Sequence, residues 1–350
     1  MPTVVTFGEI MLRLSTPGFS RFRQARAFDV VYGGGEANVA TSLAVLGHDA
    51  RFVTKLPAHA IGQAAVDQLR QFGVDTRFIA RGGGRVGVYF LETGASQRPS
   101  TVVYDRAHSA VSEMASGDVD WDAAVDGADW FHWTGITPAL GPKPLAALRD
   151  ALNAARGAGV TVSCDLNFRS KLWTTEQAQE AMRPLMAHVD VCIANEEDAD
   201  RSLGVRTEGS GAEAAEDAEL SESGYARLAE KLKADFGFDA VAITLRESHS
   251  ASDNGWSAML LGGAGRSQPL AEATRSRVYD VRLVDRVGGG DSFAAGLIHG
   301  LLTEEDAGAA LNFAVAASAL KQTIPGDLNL STAEEVEKLA TGSGSGRVER

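Results

Sequence analysis

Three consecutive glycines, Gly288, Gly289 and Gly290, run directly into Asp291 and then into the apolar stretch SFAAGLIHG. Glycines let backbone amides approach an anion closely, and a helix that opens at the same point adds its positive end. A carboxylate beside such an anion hole can take a proton from a hydroxyl while the amides steady developing phosphoryl charge. These four residues are therefore the candidate centre for a phosphoryl transfer. The competing reading makes Asp291 a plain helix N-cap, a position where Asp is among the preferred residues. A cap alone, however, needs no run of three glycines.

The surrounding pattern alternates short β-branched runs with amphipathic stretches, which predicts βαβ units, a mainly parallel sheet and an α/β fold. Strands are expected at 3–7, 51–55, 130–133, 160–165, 189–194 and 240–245, and as the run VRLVD that leads into the glycines. Helices are expected over 36–46, 64–72, 143–157, 175–187, 222–235, 292–302 and 307–322. Residues 9–33 and 85–106 break the alternation and read as strands and turns, with 85–92 and 101–105 as a hairpin. They predict a small accessory sheet acting as a lid. The Gly-, Ala-, Ser- and acid-rich stretch 207–222 reads as a solvated insertion, and 341–350 as a flexible tail after one domain over 1–340.

Composition narrows the class. The 350 residues are 44% apolar and 23% charged, which excludes a disordered chain and a disulfide scaffold. A net charge of −13 argues against a nucleic-acid binder, since phosphate binding needs clustered cations. Cys164 and Cys192, each in an apolar run, read as buried free thiols in a reducing compartment. No segment has the ~20 apolar residues of a membrane span, and no signal peptide is visible at the start. A cytoplasmic enzyme is expected.

The segment from Asp285 to Phe293 resembles the C-terminal signature D-T-x-G-A-G-D-x-F of the ribokinase-like (phosphofructokinase B type) carbohydrate kinases, with Arg286 for Thr and Gly289 for Ala. Gly33-Gly34-Gly35-Glu36-Ala37-Asn38 is similar to that family's N-terminal glycine pair and Asn-bearing helix on the sugar side. The resemblance covers essentially residues 3–335 and implies a three-layer α/β/α ribokinase-like fold with a small β-sheet lid. Within the family, Glu36, the run Asp165-Leu166-Asn167-Phe168-Arg169 continued by Leu172-Trp173, Tyr104-Asp105-Arg106 with Ser109, and KQTIPGDLNL over 321–330 are similar to the sugar-acid branch acting on 2-keto-3-deoxygluconate.

That resemblance implies ATP-dependent in-line phosphorylation of the 6-hydroxyl, with Asp291 as general base and the amides of 288–291 as the anion hole. Gly33, Gly34, Asn38, Tyr89, Tyr104, Arg106 and Arg169 would face the sugar acid. Arginine grips a carboxylate bidentately, and Arg169 stands just past a strand end, where open α/β sheets bind ligands. Asn195-Glu196-Glu197-Asp198 resembles the family's N-x-x-E motif, so Asn195, Glu197 and Asp198 would hold Mg²⁺ through water. Equally, such acids complement the dipole of a following helix. Thr244 and Ser248, near the family's T-x-G turn, with Asn195, Gly288 and Gly290, would serve the nucleotide. A monovalent cation such as K⁺ is compatible with the same signature.

A neutral-sugar kinase of the fructokinase or ribokinase type is the alternative, and a non-catalytic nucleotide- or sugar-binding protein a more distant one. Gly82-Gly83-Gly84-Arg85-Val86-Gly87 matches a dinucleotide fingerprint in form, but a strand-like VGVYFLE follows where a helix is required. A nicotinamide-dependent oxidoreductase is accordingly disfavoured. The substrate's epimer and the oligomeric state stay open, although a lid with exposed edge strands commonly pairs with a second copy.

Overall fold

The computed structural model describes residues 1–207, 221–304 and 306–342. In chain order the strands are β1 (Thr3–Phe7), β2 (Met11–Ser15), β3 (Asp29–Gly33), β4 (Asp49–Leu56), β5 (Ile79–Arg81), β6 (Gly87–Glu92), β7 (Thr101–Asp105), β8 (Trp130–Thr134), β9 (Thr161–Asp165), β10 (Val191–Ala194), β11 (Ala240–Ser248), β12 (Asp253–Gly262), β13 (Leu270–Arg275) and β14 (Tyr279–Arg282). One sheet runs β13-β12-β11-β10-β9-β8-β1-β4-β5, with β14 beside β12. From β11 to β5 every pairing is parallel, and β12, β13 and β14 extend it antiparallel.

Period-two alternation sends side chains of each central strand into two cores. Val5 and Phe7 of β1 join Leu148, Leu152, Met182 and Leu228 on one face. Val4 joins Leu43, Leu69, Phe293 and Leu311 on the other. The first core is closed by helices Pro142–Gly157, Thr175–Leu185 and Glu222–Phe236, the second by Gly35–Val45, Ala60–Gln71, Gly289–Thr303 and Ala307–Lys321. The result is the expected α/β/α sandwich. Cys164 and Cys192 are both buried and free, in register on β9 and β10.

The expected lid is a separate sheet ordered β3-β2-β6-β7. The hairpin pairs β6 and β7 antiparallel, which sets Tyr89 opposite Tyr104.

Several boundaries differ from the sequence reading. Helix Gly289–Thr303 begins three residues earlier than expected, because Gly288 at φ +83° makes the turn and lets the next two glycines become helical. Helix Ala60–Gln71 begins at Ala60, with the His59 side chain accepting from the Gly62 amide at 3.4 Å. The run VRLVD is not one strand: β14 ends at Arg282, and the amides of Val284 and Asp285 both donate to the Gln322 carbonyl. Strands β12 and β13 were not expected; β12 is buried almost throughout and so lacks alternation. The proposed insertion falls largely outside the described residues, as does the tail beyond 342.

Candidate active site

The carboxyl ends of β9, β10 and β11 open beneath the lid into a cleft of about 820 Å³. At its centre the two glycine segments meet. Asn38, buried in the first turn of helix Gly35–Val45, donates from Nδ2 to Asp291 Oδ2 at 2.6 Å, and its Oδ1 accepts from the Gly34 amide at 3.2 Å. A Cβ on Gly35 would lie 3.6 Å from Asp291 Oδ1, so the bare backbone there keeps the carboxylate accessible. Burial pushes the Asp291 carboxyl up to about 6, against the bond from Asn38, which favours ionisation. Such a group is largely ionised at neutral pH yet remains a useful proton acceptor.

Helix Gly289–Thr303 presents its N-terminus to the same space. Gly290 and Asp291 stand in its first turn, where amides have no intrahelical acceptor. The Gly289 amide instead donates to the Arg286 carbonyl at 3.2 Å, which removes it from the expected anion hole. Gly288 is constrained twice: by its φ of +83°, and because a Cβ would stand 2.0 Å from the Asp327 carbonyl oxygen. A Cβ on Gly290 would meet nothing within 4 Å.

Other expected residues take varied places. Gly34, Tyr104, Arg106, Arg169, Asn195, Glu197, Asp198, Thr244 and Ser248 all line the cleft. Gly33 does not: it stands behind the wall, where a Cβ would strike Asp327 Oδ2 at 2.2 Å, so it is a packing glycine. Tyr89 lines the cleft but is buried, and its hydroxyl donates to Asp327 Oδ2 at 2.5 Å. Arg106, expected to face the sugar acid, is engaged within the protein. Its guanidinium is ion-paired with buried Glu9, which also accepts from Ser109 Oγ at 3.1 Å, and it packs over the Tyr104 ring. Arg169 is exposed to the cleft, and among the described residues its guanidinium makes one hydrogen bond, to the Phe168 carbonyl at 3.3 Å. Glu36 is no wall residue: fully buried, it accepts from the Thr134 and Thr137 hydroxyls at 2.8 Å each.

On the acidic side, Asn195 caps helix Glu196–Leu203, its Oδ1 accepting from the Asp198 amide at 2.7 Å. Asp198 Oδ1 accepts from the Phe168 amide at 2.9 Å, and burial pushes that carboxyl up to about 6. Asp165 lies well above the usual carboxylate range, through burial first and then the neighbouring Asp198 and Asp291 charges. Thr244 belongs to a continuous strand, not a turn, and β11 continues to Ser248 opposite Asn254.

Sequence reading missed a layer beneath the cleft. Arg13 of β2 bridges Asp285 and Asp327, and Lys321 lies fully buried beside them. Nor did sequence reading assign a place in the cleft to Arg246 and Arg286, which line it together with Thr244 and Ser248; Arg286 Nη2 donates to Asn254 Oδ1 at 3.0 Å. Asp285, as the first residue of the C-terminal signature, and the segment 321–330, quoted without a role in the site, are the signals that point toward this layer.

The description of the pfkB family carbohydrate kinases matches residues 1–246 and 263–333. The chain belongs to this family. Among solved structures, a 2-dehydro-3-deoxygluconokinase from Thermotoga maritima is 53% identical, with a TM-score of 0.91 over 97% of this chain and 98% of that one. A 2-dehydro-3-deoxygalactonokinase from Haloferax volcanii is 34% identical over 98% of both chains. A Bacillus subtilis 2-dehydro-3-deoxygluconokinase is 28% identical over 95% of this chain and 93% of its own. The pfkB kinase thus matches the carbohydrate-kinase family over residues 1–246 and 263–333. No helix among its described residues is long and apolar enough to cross a membrane.

Proposed function

We propose that this pfkB kinase transfers the γ-phosphoryl group of ATP to the 6-hydroxyl of 2-keto-3-deoxygluconate (2-dehydro-3-deoxygluconate). The observation that carries the reading is the Asn38–Asp291 hydrogen bond, which ties the sugar-side glycine segment to a carboxylate at the anion-binding helix N-terminus. Asp291 takes the hydroxyl proton as the sugar oxygen bonds to the γ-phosphorus, and the bond from that phosphorus to the bridging oxygen breaks to release ADP. The Gly290 and Asp291 amides face the phosphoryl oxygens, as preorganised donors do in such reactions. Arg246 and Arg286, two cations at one end of the cleft, suit the polyphosphate.

Arg169 holds the substrate carboxylate. Arg106 is committed to Glu9 and shapes the wall. Tyr104 covers the sugar from the lid. The name of the Thermotoga relative supports the gluconate series over the galactonate series.

Mg²⁺ suits this site through water. The donors are all oxygen, and no group of three or more His, Cys, Asp or Glu among the described residues is arranged to ligate an ion directly. When bound, the ion would neutralise phosphate charge. Asn195, Glu197 and Asp198 would orient its waters, and the raised carboxyls of Asp165 and Asp198 mark where a nearby cation would be welcome.

Residues 1–340 would form one kinase domain with the lid segments inserted. Exposed Val30 and Val103 on the lid support a homo-oligomer, and the buried free thiols support a cytoplasmic setting. ADP release measured with 2-keto-3-deoxygluconate, its galactonate epimer, fructose and ribose tests the proposal. The highest kcat/KM is expected for the gluconate-series acid, and a preference for a neutral sugar would refute it.

A further inference from the structure

Lys321 is fully buried in the last turn of helix Ala307–Lys321, and the transfer scheme above gives it no task. Its Nζ donates to the Asp285 carbonyl at 3.0 Å and to the Ile324 carbonyl at 3.4 Å. The side chain passes beneath the glycine run: a Cβ on Gly288 would lie 3.2 Å from Lys321 Cε. The Asp285 and Asp327 carboxylates beside it are bridged by Arg13, and Asp285 also accepts from the Gly326 amide at 3.0 Å. These two carboxylates face one guanidinium and one ammonium, and the Asp291 carboxylate also acts electrostatically on Lys321.

Backbone carbonyls gathered around one positive charge are the chemistry that holds a monovalent metal ion. Here a side-chain ammonium already uses those oxygens. An added K⁺ would compete for them and stand against the ammonium and guanidinium already buried there, which is costly. The residues present therefore do not fit the monovalent cation that the family signature is compatible with.

We propose that Lys321 is the resident cation of the anion hole, its ammonium fixing the Asp285 and Ile324 carbonyls behind Gly288 so that the enzyme needs no monovalent metal ion. It acts as a positioning residue, through the backbone of the glycine turn. The inference rests on the kinase reading and deepens it.

Two measurements on the full chain test it, both in K⁺, NH₄⁺, Na⁺ and tetramethylammonium chlorides at matched ionic strength. In thermal melts without substrates, the wild type is expected to unfold at one temperature in all four salts. Lys321→Ala, which opens a space among the carbonyls, should melt lower and regain stability selectively in K⁺ or NH₄⁺. Lys321→Met, which fills the space without charge, should show no selective gain. In turnover, the wild type should vary less than about twofold across salts. Lys321→Ala should lose about 10- to 100-fold in kcat in tetramethylammonium, recover in K⁺ or NH₄⁺, and keep its KM for the sugar.

Selective activation or stabilisation of the wild type by K⁺ would overturn the proposal, as would Lys321→Met with wild-type kcat. Should the variants not fold, the wild-type salt series alone decides. A chain that phosphorylated no sugar would defeat the kinase reading, while the melts would still decide the cation.

Discussion

Replacing Asn38 with Ala should move the acid limb of the rate profile. The Asn38 amide donates to Asp291 at 2.6 Å, and a hydrogen bond to a charged group contributes about 1.5–3 kcal/mol. One pKa unit corresponds to about 1.36 kcal/mol, so deleting the donor should raise the Asp291 carboxyl by about one to two units. Its starting point is about 6. At pH 7 the ionised fraction then drops from about nine-tenths to between about a half and a tenth. A general base acts only when ionised, so kcat/KM should fall about two- to tenfold at pH 7 and converge on the wild type by about pH 9. Initial rates of ADP formation from subsaturating sugar acid, followed from about pH 5.5 to 9.5, read this directly. An acid limb that stays in place, or a loss equal at every pH, would refute the reasoning: Asn38 would not be tuning the group that titrates.

Asp291→Asn should cost ~10²–10⁴-fold in turnover while ATP still binds, measured by single-turnover kinetics alongside nucleotide titration; near-normal turnover would remove Asp291 as the base. Arg169→Ala should weaken sugar-acid binding by about 1.5–3 kcal/mol and leave neutral sugars alone, which calorimetry with both classes can check. Gly288→Ala forces a Cβ toward the Asp327 carbonyl at 2.0 Å and strains φ +83°, so turnover should collapse in a chain whose circular dichroism stays native.

Glu36 gives a stability prediction. Burial pushes its carboxyl from 4.5 to about 7 in the folded protein. The folded state therefore binds more protons than the unfolded chain across that window, and stability falls as pH rises through it. Glu36→Gln should remove that slope and gain about 1–2 kcal/mol at pH 8 in urea titrations; an unchanged slope would clear Glu36 of the effect.

Much of this layout is written locally. Glycine runs, strand-like triplets and amphipathic periods each depend on neighbours within a few residues, so the parallel sheet, the lid and the Gly288–Asp291 turn were legible without coordinates. Asp291 itself could be picked out because its chemistry and its helix start share one short segment. What the local pattern could not carry was partnership between distant residues. Arg106 reads as a free substrate contact until Glu9 is seen beside it, 97 positions away. Gly33 reads as a substrate contact until the Asp327 side chain is found filling the space behind it.

The amino-acid order by itself determined the fold class and the two glycine segments, because backbone freedom and hydrophobic period are properties of short stretches. Only the tertiary structure decided that Asn38 would meet Asp291, that Arg13 would bridge Asp285 and Asp327, and that a lysine ammonium would stand among the carbonyls behind the anion hole. The Asn38 and Arg13 contacts join residues 253 to 314 positions apart in the chain, and Lys321 reaches the Asp285 carbonyl across 36. A charge buried at one of them is stable only once folding supplies its partner from elsewhere.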